Sequence, residues 1–302
     1  MAVVYIYGES PSAAELVALA KGMGAASVLV AVNQADDALL AAGADKAIVL
    51  KGASERPEAY AKAIAALLSE GESETMFVAP STVTGREMAA SVAGYVGCAM
   101  FSDVSSLEIA EGKVRASRSV YGGAVAETCE AAFPCVASVG AGACDPLDLP
   151  ATSNVEEREV AADERVVRKA IKPVEKGEVD LTKAKAVVCV GMGIDGEEDL
   201  QLAQDLADVL GGAVGCTRDV AEGRKLLPKE RYIGITGAVV KPALYLSLGV
   251  SGQLQHVYGI RDAKVVVAVD ANKDAPIFRA ADYGIVGDLH EVAPKILEAL
   301  KA

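Results

Sequence analysis

The residues best placed to bind a ligand occur in one stretch, between Thr236 and His256. Its second half, GVSGQLQH, follows an apolar segment and places two glycines, a hydroxyl and one of the two histidines of the chain at a strand-to-loop corner. Open α/β sheets bind nucleotides at such corners, where the carboxyl ends of parallel strands meet. We expect the amides of Ser251 and Gly252 to face a ligand and His256 to lie about one turn into a helix. A packed core histidine is the alternative interpretation of His256.

Charged residues follow other predicted strands and belong to the same edge. Arg218 comes directly after an apolar segment, where a guanidinium can stabilise negative charge on a ligand; a helix-surface arginine is the alternative. Asp270 ends another apolar segment, where phosphates or riboses are held, and a solvated turn explains it equally well. Asp288 is placed to accept a hydrogen bond from a ribose hydroxyl, and His290 is expected at the surface.

A glycine-rich turn, Gly191–Gly196, matches the G-x-G-x-x-G pattern between a predicted strand and a predicted helix. An NAD site also needs an acid about 20 residues further on, at the end of the next strand. That strand ends in Cys216-Thr217-Arg218, which disfavours NAD. The sequence shows no G-x-S-x-G, no H-E-x-x-H and too few histidines for a hydrolytic triad. A cofactor that carries the chemistry itself explains this pattern.

The composition excludes several classes of function. A net charge of −13 argues against binding the phosphate backbone of nucleic acid. The six cysteines form no C-x-x-C pair, so a zinc or iron–sulfur site is not expected. The chain begins directly with a strand and has no long apolar run, so we predict no signal peptide and no membrane span. The scattered cysteines fit a reducing compartment, and we expect a cytoplasmic protein.

Alternating apolar segments predict two α/β domains, at residues 1–178 and 179–302, each with a doubly wound sheet. After Ser102 a period-two pattern with glycine turns predicts antiparallel strands. The charged stretch Asn154–Asp180 is the predicted linker. In the first domain, strands are predicted at Val3–Tyr7, Ser27–Val32, Lys46–Leu50 and Met76–Ala79. In the second domain, strands are predicted at Ala186–Val190, Ala213–Cys216, Tyr232–Ile235, Leu244–Leu248, Lys264–Val269 and Gly284–Val286.

These motifs, in this order, resemble the FixB-like branch of electron transfer flavoprotein alpha subunits. In the second domain the resemblance is carried by Gly215–Arg218, Ile233–Gly237, Gly249–His256 and Asp274–Asp288. In the first domain it is carried by Gly43–Asp45, Thr84–Glu87 and Tyr121–Gly123. The resemblance implies an N-terminal nucleotide-hydrolase-like α/β domain that contacts a partner subunit, and a C-terminal FAD-binding parallel-sheet domain.

The resemblance also implies a cofactor, partners and site residues. FAD would be the cofactor, and Arg218 and His256 would lie by its isoalloxazine. The chain would act as a heterodimer with a FixA-like beta subunit and relay electrons from a flavin dehydrogenase, such as acyl-CoA dehydrogenase, to an acceptor flavoprotein. The residues implied to line FAD are Thr217, Arg218, Ile233, Gly234, Ile235, Thr236, Ser251, Gly252, Gln253, Leu254, Gln255, His256, Asp270, Asp288 and Leu289.

The sequence departs from the family pattern at three positions. Met192 replaces the usual arginine of a G-R-G turn, Asp270 replaces an asparagine near the FAD phosphates, and Ala238 replaces a lysine. These changes remove positive charge and add a carboxylate, so we expect weaker FAD binding. Two alternatives therefore stay open: an NAD(P)-linked oxidoreductase, and a non-redox nucleotide-binding subunit with a decayed FAD site.

Overall fold

The computed structural model describes residues 1–70, 74–171 and 179–301. The chain divides into two compact units, Met1–Lys172 and Pro173–Ala302. The expected domain boundary at residue 178 lies outside the described residues. Each unit is built on a parallel sheet with helices, which confirms the predicted α/β fold class.

The first unit contains a seven-stranded parallel sheet and a three-stranded antiparallel sheet. Its strands are β1 (Val3–Tyr7), β2 (Ala26–Val32), β3 (Lys46–Lys51), β4 (Thr75–Pro80), β5 (Ala99–Val104), β6 (Ser106–Ala110), β7 (Lys113–Val120), β8 (Val125–Ala132), β9 (Cys135–Val139) and β10 (Val155–Glu159). Its α-helices are α1 (Ser12–Gly22), α2 (Asp37–Leu40), α3 (Ala61–Glu70) and α4 (Val83–Val96). The parallel strands have the order β10-β3-β2-β1-β4-β9-β5, and β6, β7 and β8 form the antiparallel sheet that the period-two pattern predicts.

Two apolar cores cover the two faces of the large sheet. Helix α1 and the antiparallel sheet pack on one face, and α3 and α4 pack on the other. Strand β4 is buried at all six positions, as expected for a central strand of a parallel sheet. Helix α4 begins where the Thr82 hydroxyl accepts a hydrogen bond from the Gly85 amide, and it ends at Gly97 in the left-handed conformation.

The predicted linker Asn154–Asp180 is wrong in part, because Val155–Glu159 forms β10. This strand pairs with β3 at the edge of the sheet. Its carboxylates form ion pairs with the neighbouring strand; Glu157, for example, lies 2.6 Å from Lys51. An edge strand keeps contact with water and tolerates charge, so it needs no apolar periodicity. For this reason the charged sequence of β10 was interpreted as a linker and not as a strand.

The second unit contains a five-stranded sheet in which every pair is parallel. The strands are β11 (Ala186–Val190), β12 (Ala213–Cys216), β13 (Leu244–Leu248), β14 (Val266–Asp270) and β15 (Tyr283–Val286), and the α-helices are α5 (Glu197–Val209), α6 (Leu254–Tyr258) and α7 (Leu289–Lys301). The strand order is β12-β11-β13-β14-β15. The chain reverses its direction of progress across the sheet between β11 and β13, which makes this pair the topological switch point.

The predicted strand Tyr232–Ile235 is wrong. The segment makes two isolated bridges, Cys216 with Tyr232 and Ile233 with Ala238, and then turns sharply. The turn depends on Gly237, where a Cβ atom would lie 2.4 Å from the carbonyl oxygen of Tyr232. The segment therefore folds over the carboxyl end of β12 instead of joining the sheet.

Candidate functional site

A cavity of about 640 Å³ lies at the carboxyl edge of the second sheet. The loops after β11, β12, β13 and β14 form its walls, which places it at the switch point where open α/β sheets bind ligands. Its volume is within the usual range of ligand pockets, roughly 300–1,000 Å³. Most of the predicted site residues line this one cavity: Thr217, Arg218, Ile233, Gly234, Ile235, Thr236, Ser251, Gly252, Gln253, Gln255, His256 and Asp270.

The loop after β13 offers backbone donors to the cavity. Among the described residues, the amides of Val250, Ser251, Gly252 and Gln253 donate no hydrogen bond. Gly252 has a φ of +79°, and a Cβ atom there would lie 2.2 Å from the backbone nitrogen of Ile277. Glycine is thus required for close packing, and the loop is held in a shape that leaves consecutive N–H groups available to an anion.

The glycine-rich turn after β11 has a packing role. A Cβ atom on Gly191 would lie 2.1 Å from the carbonyl oxygen of Gly249, and one on Gly193 would lie 2.8 Å from the Gly249 Cα. The first turn of α5 carries acids, and Asp199 accepts a hydrogen bond of 2.6 Å from the Asp195 amide. A carboxylate therefore occupies the helix N-terminus that a dinucleotide phosphate would need, which disfavours the NAD(P) alternative.

Two buried polar atoms in the cavity wall have no partner among the described residues: Thr217 Oγ1 and His256 Nδ1. The other ring nitrogen of His256, Nε2, lies 2.6 Å from the hydroxyl of Tyr245. His256 is 7% exposed, and burial lowers its pKa to about 4, although the nearby Ile233 carbonyl opposes that shift. The imidazole is consequently neutral at pH 7. Buried polar atoms without partners are rare in proteins, so these two atoms are candidates for hydrogen bonds to a ligand.

The charges in the cavity wall do not favour an anion. Arg218 donates a 2.6 Å hydrogen bond to Glu222, so its charge is already paired. Asp219 and Asp270 also line the cavity. Met192 lines it too, with 52% of its surface exposed, where the family pattern has arginine. Met192 and Asp270, two of the three departures from the family pattern, therefore line the cavity.

Three predicted site residues do not line the cavity. Leu254 is 51% exposed, and Leu289 is buried in the core beside α5. The carboxylate of Asp288 accepts hydrogen bonds from the backbone and the imidazole of His290, at 2.9 and 2.7 Å. Asp288 is thus engaged within its own turn. The predicted surface position of His290 agrees with its exposed side chain.

Seven residues of the cavity wall lie outside the set that the resemblance implied to line FAD. The hydroxyls of Tyr232 and Thr236 share a hydrogen bond. The backbone N–H of Asn272 donates a 2.8 Å hydrogen bond to the carboxylate of Asp270. Asn272 follows the end of β14, which was the available signal, whereas Tyr232 follows a 3₁₀ turn at Lys229–Arg231 and carried no such signal. Residues of the wall outside the predicted set are Met192, Gly193, Asp219, Tyr232, Gly249, Val250 and Asn272.

The chain thus has two α/β units, and the second has a cavity lined by polar groups at the switch point of its sheet. Comparison with known proteins identifies the class. A family model for the electron transfer flavoprotein domain matches residues 9–165, and one for the electron transfer flavoprotein FAD-binding domain matches residues 180–261. The chain belongs to the electron transfer flavoprotein family, as an alpha-type subunit with FAD as its cofactor.

Curated relatives cover most of the chain. FixB of Salmonella typhi is 35% identical, with 98% of this chain and 97% of that protein covered. FixB of Escherichia coli O81 is 33% identical, again with 98% of this chain and 97% of that protein covered. The putative electron transfer flavoprotein subunit YdiR of Escherichia coli K12 is 36% identical, covering 82% of this chain and 80% of its own length. In the described part of the chain, every helix is too short or too polar to cross a bilayer.

Proposed function

We propose that this chain is the FAD-holding subunit of a heterodimeric electron carrier of the cytoplasm. A FixA-like beta subunit is the proposed partner, a flavin dehydrogenase such as acyl-CoA dehydrogenase the electron donor, and another flavoprotein the acceptor. The observation that carries the proposal is the run of amides from Val250 to Gln253 beside two buried polar atoms, all without a hydrogen-bond partner in the part of the chain that the structure describes. The name of YdiR, a putative electron transfer flavoprotein subunit, supports an assembly of more than one chain.

Each part of the cavity has a proposed role toward FAD. The amides of Val250 to Gln253 hold the pyrophosphate, as backbone nests do for other anions. Thr217 Oγ1 and His256 Nδ1 complete their hydrogen bonds on the cofactor. Arg218 lies on the exposed side and favours the reduced, more negative state. Bound FAD supplies the electron-accepting chemistry, and the protein supplies position and electrostatics.

Removal of the Thr217 hydroxyl should affect protein stability and FAD affinity in opposite directions, which makes it a useful test. Thr217→Val keeps the shape of the side chain and removes an oxygen that has no partner among the described residues. The FAD-free protein should therefore be as stable as wild type or more stable. FAD affinity should fall about fivefold, because one hydrogen bond of about 1 kcal/mol is lost. Unchanged affinity by titration calorimetry would remove Thr217 from the site.

A bulky aromatic side chain of the first unit, in a strained and exposed position, suits partner contact. Tyr121 has a φ of +54° and is 80% exposed at the turn between β7 and β8. A bulky side chain in this conformation is costly, and such strain concentrates at functional positions. We propose that the partner subunit contacts this turn. Asparagine tolerates positive φ, so Tyr121→Asn should raise the melting temperature of the chain.

The same variant should weaken the heterodimer. Size-exclusion chromatography of each variant with and without a FixA-like subunit measures this directly. Wild type should elute as a complex with the partner, and the isolated chain should aggregate because it exposes its contact surface. A stable monomer that ignores the partner would contradict the heterodimer. Normal association of Tyr121→Asn would contradict only the placement of the interface.

A further inference from the structure

One face of β13 carries polar side chains inside the core. Along this strand, Leu246 and Leu248 pack into one apolar core, while Tyr245 and Ser247 point to the opposite face. Cys189 of β11 pairs with Ser247 in the register of the sheet. All three polar residues are fully buried, with exposures of 0%. A central strand of a parallel sheet is normally apolar on both faces, so a polar face here needs an explanation.

The Tyr245 hydroxyl is directed at the imidazole of His256. It lies 2.6 Å from Nε2, whereas the Cys189 sulfur lies 3.9 Å from the same nitrogen. Burial raises the pKa of Tyr245 well above 10, so the phenol keeps its proton. A phenol donates more strongly than a neutral imidazole N–H, and thiol sulfur is a weak acceptor. The short contact is therefore best described as O–H donated to Nε2.

This hydrogen bond determines where His256 carries its proton. A ring nitrogen that accepts a hydrogen bond has no proton of its own, and a neutral imidazole has one proton in total. The proton then lies on Nδ1, a buried atom that has no hydrogen-bond partner among the described residues, on a side chain that lines the cavity. We propose that Tyr245 is a positioning residue that fixes His256 as the Nδ1–H tautomer, so that the imidazole presents a donor to the cofactor.

The consequence for the cofactor rests on the proposed function. A neutral N–H donor at the cavity wall favours a ligand oxygen whose negative charge increases on reduction. The opposite tautomer would present a lone pair to the same oxygen and repel it. It would arise if Nε2–H donated to the Tyr245 oxygen while the phenol donated to Cys189. The two arrangements predict different protonated nitrogens, which can be observed.

The chain has only two histidines, His256 and His290, which makes the measurement simple. Protein labelled with ¹⁵N-histidine, and freed of FAD in complex with its partner, gives four ring-nitrogen signals by long-range ¹H–¹⁵N correlation. At pH 7 we expect His256 to show a protonated Nδ1 and a hydrogen-bonded, unprotonated Nε2. A proton on Nε2 would overturn the proposal. Because no FAD is needed, this result is separate from the proposed function, which fails if the complex never takes up flavin.

A matched pair of variants separates positioning from structural support. Tyr245→Phe removes the donor and keeps the ring, so His256 should become a mixture of tautomers, FAD binding should weaken about fivefold, and the midpoint potential should fall. Ser247→Ala removes a buried hydroxyl from the same face of the same strand and should leave all three readouts unchanged. A purely structural role for Tyr245 would lower the melting temperature and leave the tautomer intact, which would overturn the proposal. If Tyr245→Phe does not fold, the position of the His256 proton in the wild-type protein still tests the proposal.

Discussion

The two parallel sheets of this chain have similar carboxyl edges that are completed in different ways. In the first unit, polar side chains at the edge have partners within the unit: Asn33 and Tyr60 each donate a 2.8 Å hydrogen bond to the backbone carbonyl of Ser54. Thr82 donates to Glu9 at 2.8 Å. Ser81 is the exception, because its hydroxyl has no partner among the described residues.

In the second unit the corresponding edge is left open. Among the described residues, the amides of Val250 to Gln253 donate no hydrogen bond, and Thr217 and His256, which line the cavity, each have a buried polar atom without a partner. The comparison shows that a parallel sheet does not by itself make a binding site. A site arises where the loops leave polar groups for a ligand to complete, and the second unit is the one with the FAD-binding family match.

The largest expected effect concerns the contact that shapes this edge. Gly191→Ala places a Cβ atom 2.1 Å from the Gly249 carbonyl oxygen and 2.6 Å from the Val250 Cα. Neither backbone can move freely, so we expect a loss of about 3 kcal/mol in the free energy of unfolding, the upper end for overpacking, and loss of FAD. The control is Gly22→Ala, whose new atom meets nothing within 4 Å. Urea unfolding of Gly191→Ala at wild-type stability would contradict the loop contact.

The second prediction uses the two histidines as opposite pH probes. Burial lowers the pKa of His256 to about 4 in the folded chain. Below its unfolded value of about 6.5 the unfolded chain binds more protons, so stability falls as pH drops from about 6.5 to about 4, by about 3 kcal/mol. His256→Gln should flatten this acid-induced loss in urea titrations. A loss of the same size in the variant would mean that other groups cause it.

His290 should behave in the opposite direction. Hydrogen bonds to Asp288 and Asp199 raise its pKa. Its contribution is therefore complete below the unfolded pKa and is lost as pH rises through the folded value. His290→Gln should cost stability mainly at acidic pH. Identical pH profiles for the two variants would contradict the assignment of one buried neutral and one exposed, paired histidine.

The third prediction concerns the charge of the open edge. Met192→Arg with Asp270→Asn adds a cation to the cavity wall and removes an anion from it, so FAD should bind at least tenfold more tightly, or about 1.4 kcal/mol. Asparagine can still accept the hydrogen bond that Asp270 takes from the Asn272 amide. The control, Val209→Arg with Asp208→Asn, makes the same charge change on α5 outside the cavity wall. Equal affinities for the two double variants by calorimetry would refute the phosphate placement.

The smallest effect should come from Arg218, which is exposed and already paired with Glu222 at 2.6 Å. Arg218→Ala should lower the flavin midpoint potential by up to about 30 mV, a tenfold change for two electrons. Glu222→Gln frees the guanidinium and should raise the potential. A redox titration in which both variants shift in the same direction would show that Arg218 does not act through its charge.

The sequence predicted those strands and loops whose structure depends on residues close together in the chain. The apolar runs of β1, β4 and β11 and the corner Gly249–His256 were evident in the sequence, because buried parallel strands are continuous in apolar residues. Strand β10 was missed, since its charges are stabilised by ion pairs with another strand. The segment Tyr232–Ile235 was assigned to a strand wrongly, because its glycines turn it out of the sheet.

The partners of the site residues could not be predicted from the sequence. The contact of His256 with Tyr245 depends on the register of β13 and the position of α6. Asp288 was expected to face a ligand, yet its carboxylate accepts a hydrogen bond from the imidazole of His290, two residues further along the chain. Such pairings depend on rotamers and on the close approach of separate loops, and residue spacing carries no information on either.

The central claim is that the open edge of the second unit, and not the edge of the first, holds FAD. Hydrogen–deuterium exchange of the FAD-free and FAD-loaded complex compares the two edges in one experiment. We predict strong protection by FAD of the peptide covering 249–256 and no change in the peptide covering 52–60. Protection of 52–60 with unchanged exchange at 249–256 would contradict the account.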